Sequence, residues 1–179
     1  MNVVINTCKE ILIGRGYRVE TETETYIVGI PDENSNISAE YHKPAEKICI
    51  FLDNTNNDFN VSKTTEYITR LSNIKINHCI IIYKDKITAV AKKISESIND
   101  YKIELFPMCD LMYNITKHEL VSVHKKLSSE EAKKFKLKYG ENIPYLLTQD
   151  PVSRFYGYNK KDIIEIIRPN GFVTYRIVK

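Results

Sequence analysis

The spacing of apolar residues predicts a helix at the beginning of the chain. The residues that share one helical face are Val4, Cys8, Ile11 and Leu12. The segment Gly14-Arg15-Gly16 then supplies glycine for the left-handed position that ends many helices. The pattern therefore predicts a first helix over residues 2–14.

From Tyr17 the period changes from that of a helix to that of a strand. Residues 19–25 place Val19 and three threonines on one side and three glutamates on the other. This alternation predicts a strand with a solvated acidic face. The polar residues 31–36 after it predict a loop.

Short apolar runs and helical patterns alternate through the rest of the first half. The pattern predicts strands at 47–52, 78–83 and 102–106, helices at 62–71 and 88–98, and a polar turn at 53–57. An order of α-β-β-α-β-α-β is typical of a sheet flanked by helices.

The second half begins near Leu111 and contains clearer local signals. Ser128, followed by first-turn carboxylates, predicts a helix that runs to Tyr139 and ends at Gly140. Residues 143–144 begin an extended stretch, and Asp150-Pro151 predicts a short helical turn with proline at its first position. The last signal is a β-hairpin, in which residues 163–169 and 172–178 flank Asn170-Gly171.

These elements predict an α+β protein of two domains. Residues 1–110 form a helix-flanked mixed sheet, and residues 111–179 form a small α/β domain that ends in a β-hairpin.

Charge differs between the two halves of the chain. Residues 1–116 carry 13 Lys and Arg against 16 Asp and Glu, a net charge of −3. Residues 117–179 carry 13 against 7, a net charge of +6. Such an asymmetry suggests two units with different partners, although a solvated lysine-rich surface explains the charge equally well.

Composition indicates a soluble intracellular protein. No apolar run approaches the roughly 20 residues of a membrane span, and the first residues lack a basic region followed by an apolar signal block. The four cysteines form no C-x-x-C pair, so we expect structural thiols in a reducing compartment. The sequence predicts no metal and no cofactor.

Motifs for catalysis are absent or weak. The six glycines fit no phosphate-binding loop, and there is no Gly-x-Ser-x-Gly elbow. A metal-dependent nuclease would need a Pro-Asp element and an acid-x-Lys element, for which Pro31-Asp32 and Asp100-Tyr101-Lys102 are the candidates. Two predicted strands lie between them, whereas the acid-x-Lys element of such a nuclease follows on the next strand, so the spacing argues against this activity. A nuclease or a free-standing nucleic-acid-binding protein is kept as the alternative function.

Histidines and aromatic residues of the second half have two interpretations. His118 and His124 are six residues apart and have no carboxylate arrangement for general-base work, which favours a structural or interface role. The aromatic residues could stack nucleic-acid bases, but their recurrence in predicted strands and turns favours a small core or a subunit interface.

The tail of the chain resembles a known family. Residues 114–121, 150–157, 166–169 and 174–176 look like blocks, in the same order, of the assembly domain of the fifth subunit shared by the eukaryotic nuclear RNA polymerases. The corresponding small subunit of the archaeal polymerase resembles the same tail. Weaker matches at 8–17, 80–83 and 88–91 extend the likeness upstream.

This resemblance implies a non-catalytic subunit of a DNA-directed RNA polymerase. The family's N-terminal domain is a jaw of endonuclease-like topology without an active site, and its C-terminal domain docks on the largest subunit. We therefore expect the largest subunit and neighbouring small subunits as partners, weak sequence-independent contact with downstream duplex DNA, no membrane and no homo-oligomer.

The matched blocks also supply candidate residues. Arg154, Arg168 and Arg176 surround the turn and hairpin of the basic half, where they suit carboxylates of a larger partner. The partner-binding candidates are His118, Glu119, Leu120, Asp150, Pro151, Arg154, Tyr156, Gly157, Arg168, Pro169, Thr174, Tyr175 and Arg176. The DNA-proximal candidates are Lys84, Lys86, Thr88, Lys92 and Lys93.

The chain departs from the family pattern at two places. Ala89 and Val90 replace a proline and a serine of the jaw segment, and Asn170-Gly171 replaces a longer hairpin loop. Short loops, a reduced jaw and an AT-rich compositional bias fit a large DNA virus that encodes its own polymerase; an AT-rich protist also fits. The family implies a nuclear location, whereas a viral source implies the host's cytoplasmic viral factory and the virion.

Overall fold

The computed structural model describes residues 2–33, 46–55, 57–140 and 142–179. These residues form two compact units, one of residues 2–33 and 46–113 and the other of residues 114–179. Helices and two mixed sheets confirm the α+β class. The assignment of separate roles to domains 1–110 and 111–179 stays a prediction.

The first unit opens with a helix and a β-hairpin and then alternates strands and helices. Its elements are α1 (Asn2–Gly14), β1 (Tyr17–Glu22), β2 (Tyr26–Pro31), β3 (Ile48–Asp53), α2 (Val61–Ile74), β4 (His78–Tyr83), α3 (Ala89–Ser97) and β5 (Lys102–Pro107), followed by a 3₁₀ turn, Met108–Leu111. Parts of the predicted loop 31–36 and turn 53–57, at residues 34–36 and 56, lie outside the described residues.

The strands form a five-stranded sheet in the order β1-β2-β3-β4-β5. The β1–β2 and β2–β3 pairs are antiparallel, whereas β3, β4 and β5 run parallel to one another. Tyr67 and Leu71 of α2 and Ala91 of α3 pack against one face of the sheet. On β2, a Cβ atom at Gly29 would lie 2.9 Å from Leu12 of α1, so α1 packs closely against the strand there. Parallel strands are usually covered on both faces in this way.

The prediction of one strand from residue 17 through residue 25 is wrong at its end. β1 stops at Glu22, and a hairpin turn leads into β2, which the sequence pattern missed. The Thr23 hydroxyl accepts a hydrogen bond from the Tyr26 amide at 3.0 Å, so a side chain stabilises the turn. The alternation continued through this turn without a glycine, proline or asparagine to mark it.

The second unit contains a four-stranded sheet and two helices. Its elements are β6 (Val123–Lys126), α4 (Ser129–Tyr139), β7 (Tyr145–Leu146), α5 (Pro151–Tyr156), β8 (Ile163–Ile167) and β9 (Val173–Val178). The strand order is β6-β8-β9-β7, and only the β7–β9 pair is parallel. β6 was not predicted, because its four residues are half lysine and show no apolar alternation.

Both predicted helix starts of this unit are confirmed. Ser128 accepts a hydrogen bond from the Glu131 amide at 3.1 Å, and the Glu131 carboxylate accepts one from the Ser128 amide at 3.0 Å. This reciprocal pair is a capping box. Asp150 caps α5, with Pro151 at the first helical position, and Gly157 ends that helix with a φ of 67°.

The predicted hairpin is present, and its turn is set by proline as well as by Asn170-Gly171. The Gly171 amide donates to the Arg168 carbonyl at 2.8 Å, and the Arg168 amide donates to the Phe172 carbonyl at 2.9 Å. Gly171 has a φ of 79°, whereas Asn170 does not have a positive φ. This pattern is typical of a three-residue hairpin loop, in which Pro169 favours the first turn position and glycine takes the left-handed one.

Three of the four cysteines are buried free thiols, as expected for structural residues. Burial raises the pKa of both Cys8 and Cys49 to about 12. Cys109 is exposed. Among the described residues, none of the helices has the length and apolar content needed to cross a bilayer.

A buried charge cluster ties the end of α1 to β4 and β5 of the first sheet. Arg15 donates two hydrogen bonds of 2.8 Å to the two carboxylate oxygens of Glu104, and His78 Nε2 lies 2.7 Å from Glu104 Oε1. The Arg15 side chain is 5% exposed and the Glu104 side chain 19%. Arg15 and the hydrogen bond from His78 outweigh burial and hold the pKa of Glu104 far below its ordinary value. Sequence reasoning missed this cluster.

A second ion pair fixes the start of α2. The Lys63 ammonium lies 2.8 Å from the Asp53 carboxylate at the end of β3, and it also donates to the Thr55 hydroxyl and the Asn57 carbonyl. Asp53 is 3% exposed, so Lys63 compensates a buried charge.

We predict that Glu104→Gln lowers the free energy of unfolding at pH 7 by about 3 kcal/mol, because it removes the carboxylate that pairs with both guanidinium nitrogens of the buried Arg15. Glu104 has a lower pKa in the folded than in the unfolded chain. Its contribution is therefore complete above the unfolded value of about 4.3 and is lost as the pH falls toward the folded value. Urea unfolding at pH 7 and pH 3 measures both effects.

Glu20→Gln is the matched control, because Glu20 pairs with Lys47 at an exposed position. An exposed pair contributes at most about 1 kcal/mol. Equal losses in the two variants, or an unchanged pH dependence in Glu104→Gln, would contradict the assignment.

Candidate functional site

A cleft of about 500 Å³ in the second unit collects many of the predicted partner-binding residues. Those that line it are Glu119, Leu120, Asp150, Arg168, Pro169, Thr174 and Arg176. They come from the segment before β6, the cap of α5, the hairpin loop and β9. The fold thus brings together blocks that are far apart in the sequence.

The alternation of side chains along β9 decides which residues reach the cleft. Thr174 and Arg176 line it, whereas Tyr175 between them points to the other face of the sheet. There the Tyr175 hydroxyl donates to Glu165 at 2.8 Å, and its ring lies 4.6 Å from that of Phe135 in α4, between centroids. Tyr175 therefore joins α4 to the sheet and does not contribute to the cleft.

The cleft is lined by both charged and apolar side chains. Leu146 and Ile166 are buried and supply the apolar surface. Arg176 donates to the Tyr145 carbonyl at 3.1 Å, which restrains its guanidinium. Asp150 Oδ1 accepts the Val152 amide at 2.9 Å as part of the α5 cap. Two guanidinium groups in a cleft that also exposes apolar side chains suit a chain segment that carries a carboxylate and an aliphatic side chain.

The remaining partner-binding candidates lie outside the cleft lining. His118 is exposed, and its Nδ1 accepts the Leu120 amide at 3.2 Å. Arg154 is half-buried within α5. The Tyr156 ring stacks on Tyr158 at 5.5 Å between centroids, and its hydroxyl interacts with Thr116. Pro151 and Gly157 shape the two ends of α5.

Four residues that line the cleft were not among the candidates: Ser122, His124, Leu146 and Ile166. His124 is half-buried, and its Nδ1 lies 2.7 Å from the Ser122 carbonyl, so the Nδ1–H group is the donor. Burial lowers the pKa of His124, and Arg176 lowers it further, while the Ser122 hydrogen bond and Asp150 raise it. Sequence reasoning missed His124 because this residue lies beside the cleft through the pairing of β6 with β8, where it is opposite Ile166. Strand β6 itself was not predicted.

The DNA-proximal candidates lie in the loop after β4 and on the helix that follows it. Lys84 and Lys86 are exposed in the loop after β4, and Lys92 and Lys93 are exposed on α3. Thr88 accepts the Ala91 amide at 3.3 Å and caps α3. Lysines at the beginning of a helix suit phosphate groups.

The nuclease candidates Asp32 and Asp100 are not brought together. Asp32 follows β2 and Asp100 precedes β5, so three inter-strand spacings, about 14 Å, separate their strands. Within the described residues no cluster of three or more His, Cys, Asp or Glu side chains could hold a metal ion.

We predict that two cleft substitutions shift the pKa of His124 in opposite directions. Asp150→Asn lowers it by removing a favourable charge, while asparagine still caps α5. Arg176→Gln raises it by removing an unfavourable charge. Titration of the imidazole signals by NMR measures both shifts. Shifts of the same sign would contradict the cleft geometry.

Comparisons with known proteins identify the family of the chain. The family model described as RNA polymerase Rpb5, C-terminal domain, matches residues 113–178. A protein of Invertebrate iridescent virus 6, named as a candidate DNA-directed RNA polymerase subunit, 454R, is 34% identical over 184 residues, covering 96% of this chain and 95% of the relative. The rpabc1 subunit of DNA-directed RNA polymerases I, II and III from Dictyostelium discoideum is 31% identical over 145 residues, covering 75% and 73%.

The similarity to the viral protein spans nearly the full length of both chains, and the family model covers the unit that contains the cleft. The chain therefore belongs to the Rpb5 family of DNA-directed RNA polymerase subunits.

Proposed function

We propose that this protein is a non-catalytic subunit that docks on the largest polymerase subunit through the cleft of its C-terminal unit. The observation that carries the proposal is the convergence of Arg168, Arg176 and five other matched residues on one cleft. Neighbouring small subunits contact the rest of the unit, and the protein enters the enzyme as a single copy.

The chemistry of the cleft supports a peptide segment as its occupant. Arginine forms two parallel hydrogen bonds to a carboxylate, and the buried Leu146 and Ile166 offer apolar contact beside it. Exclusion of water at such a centre strengthens the ion pairs. We therefore assign the binding energy to a carboxylate held by Arg168 and Arg176, with an aliphatic side chain below it.

The N-terminal unit is proposed to form the jaw beside downstream duplex DNA. Its exposed lysines after β4 and on α3 offer positive charge for phosphate groups. They lack the planar guanidinium with which arginine recognises a base through two hydrogen bonds. Residues 1–116 have a net charge of −3, so their contact with DNA in isolation is weak and depends on salt.

The non-catalytic role is supported by the separation of Asp32 from Asp100 across the sheet. For the cellular location we propose the nucleus by family resemblance, or a cytoplasmic viral factory and the virion if the source is a virus. Fluorescence microscopy of the tagged protein in its source cells distinguishes these sites.

We predict that the tagged full chain, purified from its source cells, carries the two largest polymerase subunits at stoichiometric ratio. Arg168→Glu combined with Arg176→Glu abolishes this recovery, because it places carboxylates where the partner's carboxylate binds. Mass spectrometry of the purified complex measures the ratio.

Lys160→Glu combined with Lys179→Glu is the control, since it makes the same change in net charge at exposed positions outside the cleft lining. Circular dichroism establishes that both variants fold. A protein purified without polymerase subunits, or equal recovery with both variants, would overturn the docking proposal.

For the jaw, we predict that four lysine-to-glutamine changes weaken the binding of the assembled polymerase to downstream duplex DNA without altering its assembly. The salt concentration at which elongation complexes dissociate falls, because phosphate contacts are lost. The changed residues are Lys84, Lys86, Lys92 and Lys93. The control removes four lysines elsewhere in the unit, namely Lys9, Lys47, Lys75 and Lys102. Equal sensitivity of the two sets would reject a local DNA contact.

A further inference from the structure

Helix α4 presents a lysine face to solvent. Phe135 turns toward the sheet and packs on Tyr175, while Lys133, Lys134 and Lys138 are exposed. Lys133 and Lys134 lie away from Phe135 around the helix, whereas Lys138 lies one turn from Phe135 and holds its ammonium 4.9 Å from the centroid of the Tyr139 ring. Along the helix axis these lysines span about 7.5 Å. The only acidic residues of the helix, Glu130 and Glu131, lie in its first turn.

The lysine charges contribute little to the stability of the fold. Within the part of the chain that the structure describes, neither Lys133 nor Lys134 forms an ion pair. Lys134 and Lys138 are four residues apart, a spacing at which like charges destabilise a helix by a few tenths of a kcal/mol. The helix is held by its capping box and by Phe135, and none of its residues is fully buried. The charges of Lys133 and Lys134 therefore have no structural counterpart, and that of Lys138 lies over the ring of an exposed tyrosine.

The lysine face and the cleft lie on opposite sides of the second sheet. Neighbouring residues of β9 establish this, because Thr174 and Arg176 line the cleft while Tyr175 contacts α4. If the cleft is occupied by a larger subunit, as the proposed function has it, the outer side of α4 points away from that partner. A second ligand then has access to it.

We propose that the outer face of α4 binds the phosphate backbone of a nucleic acid without reading its sequence. Three lysines on a convex surface suit a polyanion that offers a charge every few ångströms, whereas docking of a protein segment favours a concave apolar seat. Lysine is a point charge with no planar fork, so it contacts phosphates without fixing a base. Residues 117–179 carry a net charge of +6, which adds long-range attraction.

The test uses the free full chain, so it does not depend on docking to a polymerase. Fluorescence anisotropy measures binding to a 20-base-pair duplex and to a 20-nucleotide single-stranded RNA between about 50 and 200 mM salt, the range over which phosphate contacts weaken strongly. The variant is Lys133→Gln, Lys134→Gln and Lys138→Gln, because glutamine keeps helix propensity and removes charge. The matched control, Lys117→Gln, Lys160→Gln and Lys179→Gln, removes three exposed charges elsewhere in the same unit.

The affinity falls with salt, and we expect the α4 variant to make this fall less steep. The magnitude of the slope of log affinity against log salt should decrease by about 2 to 3 for the duplex and by about 2 for the RNA. The control should change it by less than half as much. The nucleic acid that binds more tightly identifies the natural source of phosphate. Equal losses in variant and control, or no binding at 50 mM salt, would overturn the proposal. Tighter binding of poly-glutamate than of either nucleic acid would also overturn the proposal, because the α4 face would then suit an acidic protein.

Discussion

Side chains alternate between the two faces of a strand, and both units depend on this constraint. In the first unit, β3 and β4 are buried along almost their whole length. Each of their faces must therefore be covered, which requires helices on both sides of the sheet. In the second unit, the same alternation along β9 sends Arg176 into the cleft and Tyr175 toward α4. A shift of β9 by one residue would exchange these roles and destroy the cleft.

Charge has different consequences in the two units. In the first, Arg15 and Glu104 are buried together, and their ion pair compensates the loss of water around both charges. In the second, Arg168 is exposed, and among the described residues Arg176 hydrogen-bonds only to a backbone carbonyl. The first arrangement stabilises a fold, whereas the second remains able to exchange water for a ligand. This difference distinguishes the scaffold of the protein from its recognition surface.

Features that depend on neighbouring residues could be predicted from the sequence. The Ser128 and Asp150 caps, the turn containing Gly171 and the apolar runs of β3 and β4 follow from local chemistry. The resemblance of the tail also supplied most residues of the cleft. Features that depend on distant contacts could not be predicted in the same way. Glu104 meets Arg15 across 89 positions, and His124 reaches the cleft only because β6 pairs with β8.

The unequal burial of the cysteines has a practical consequence for spectroscopy. Cys8, Cys49 and Cys79 are buried, and their raised pKa values keep them as thiols, which react slowly with maleimides. Cys109 is exposed in the 3₁₀ turn Met108–Leu111, close to the last residue of the first unit. The natural sequence therefore offers one accessible position for a fluorescent or spin label, and no cysteine needs to be removed first.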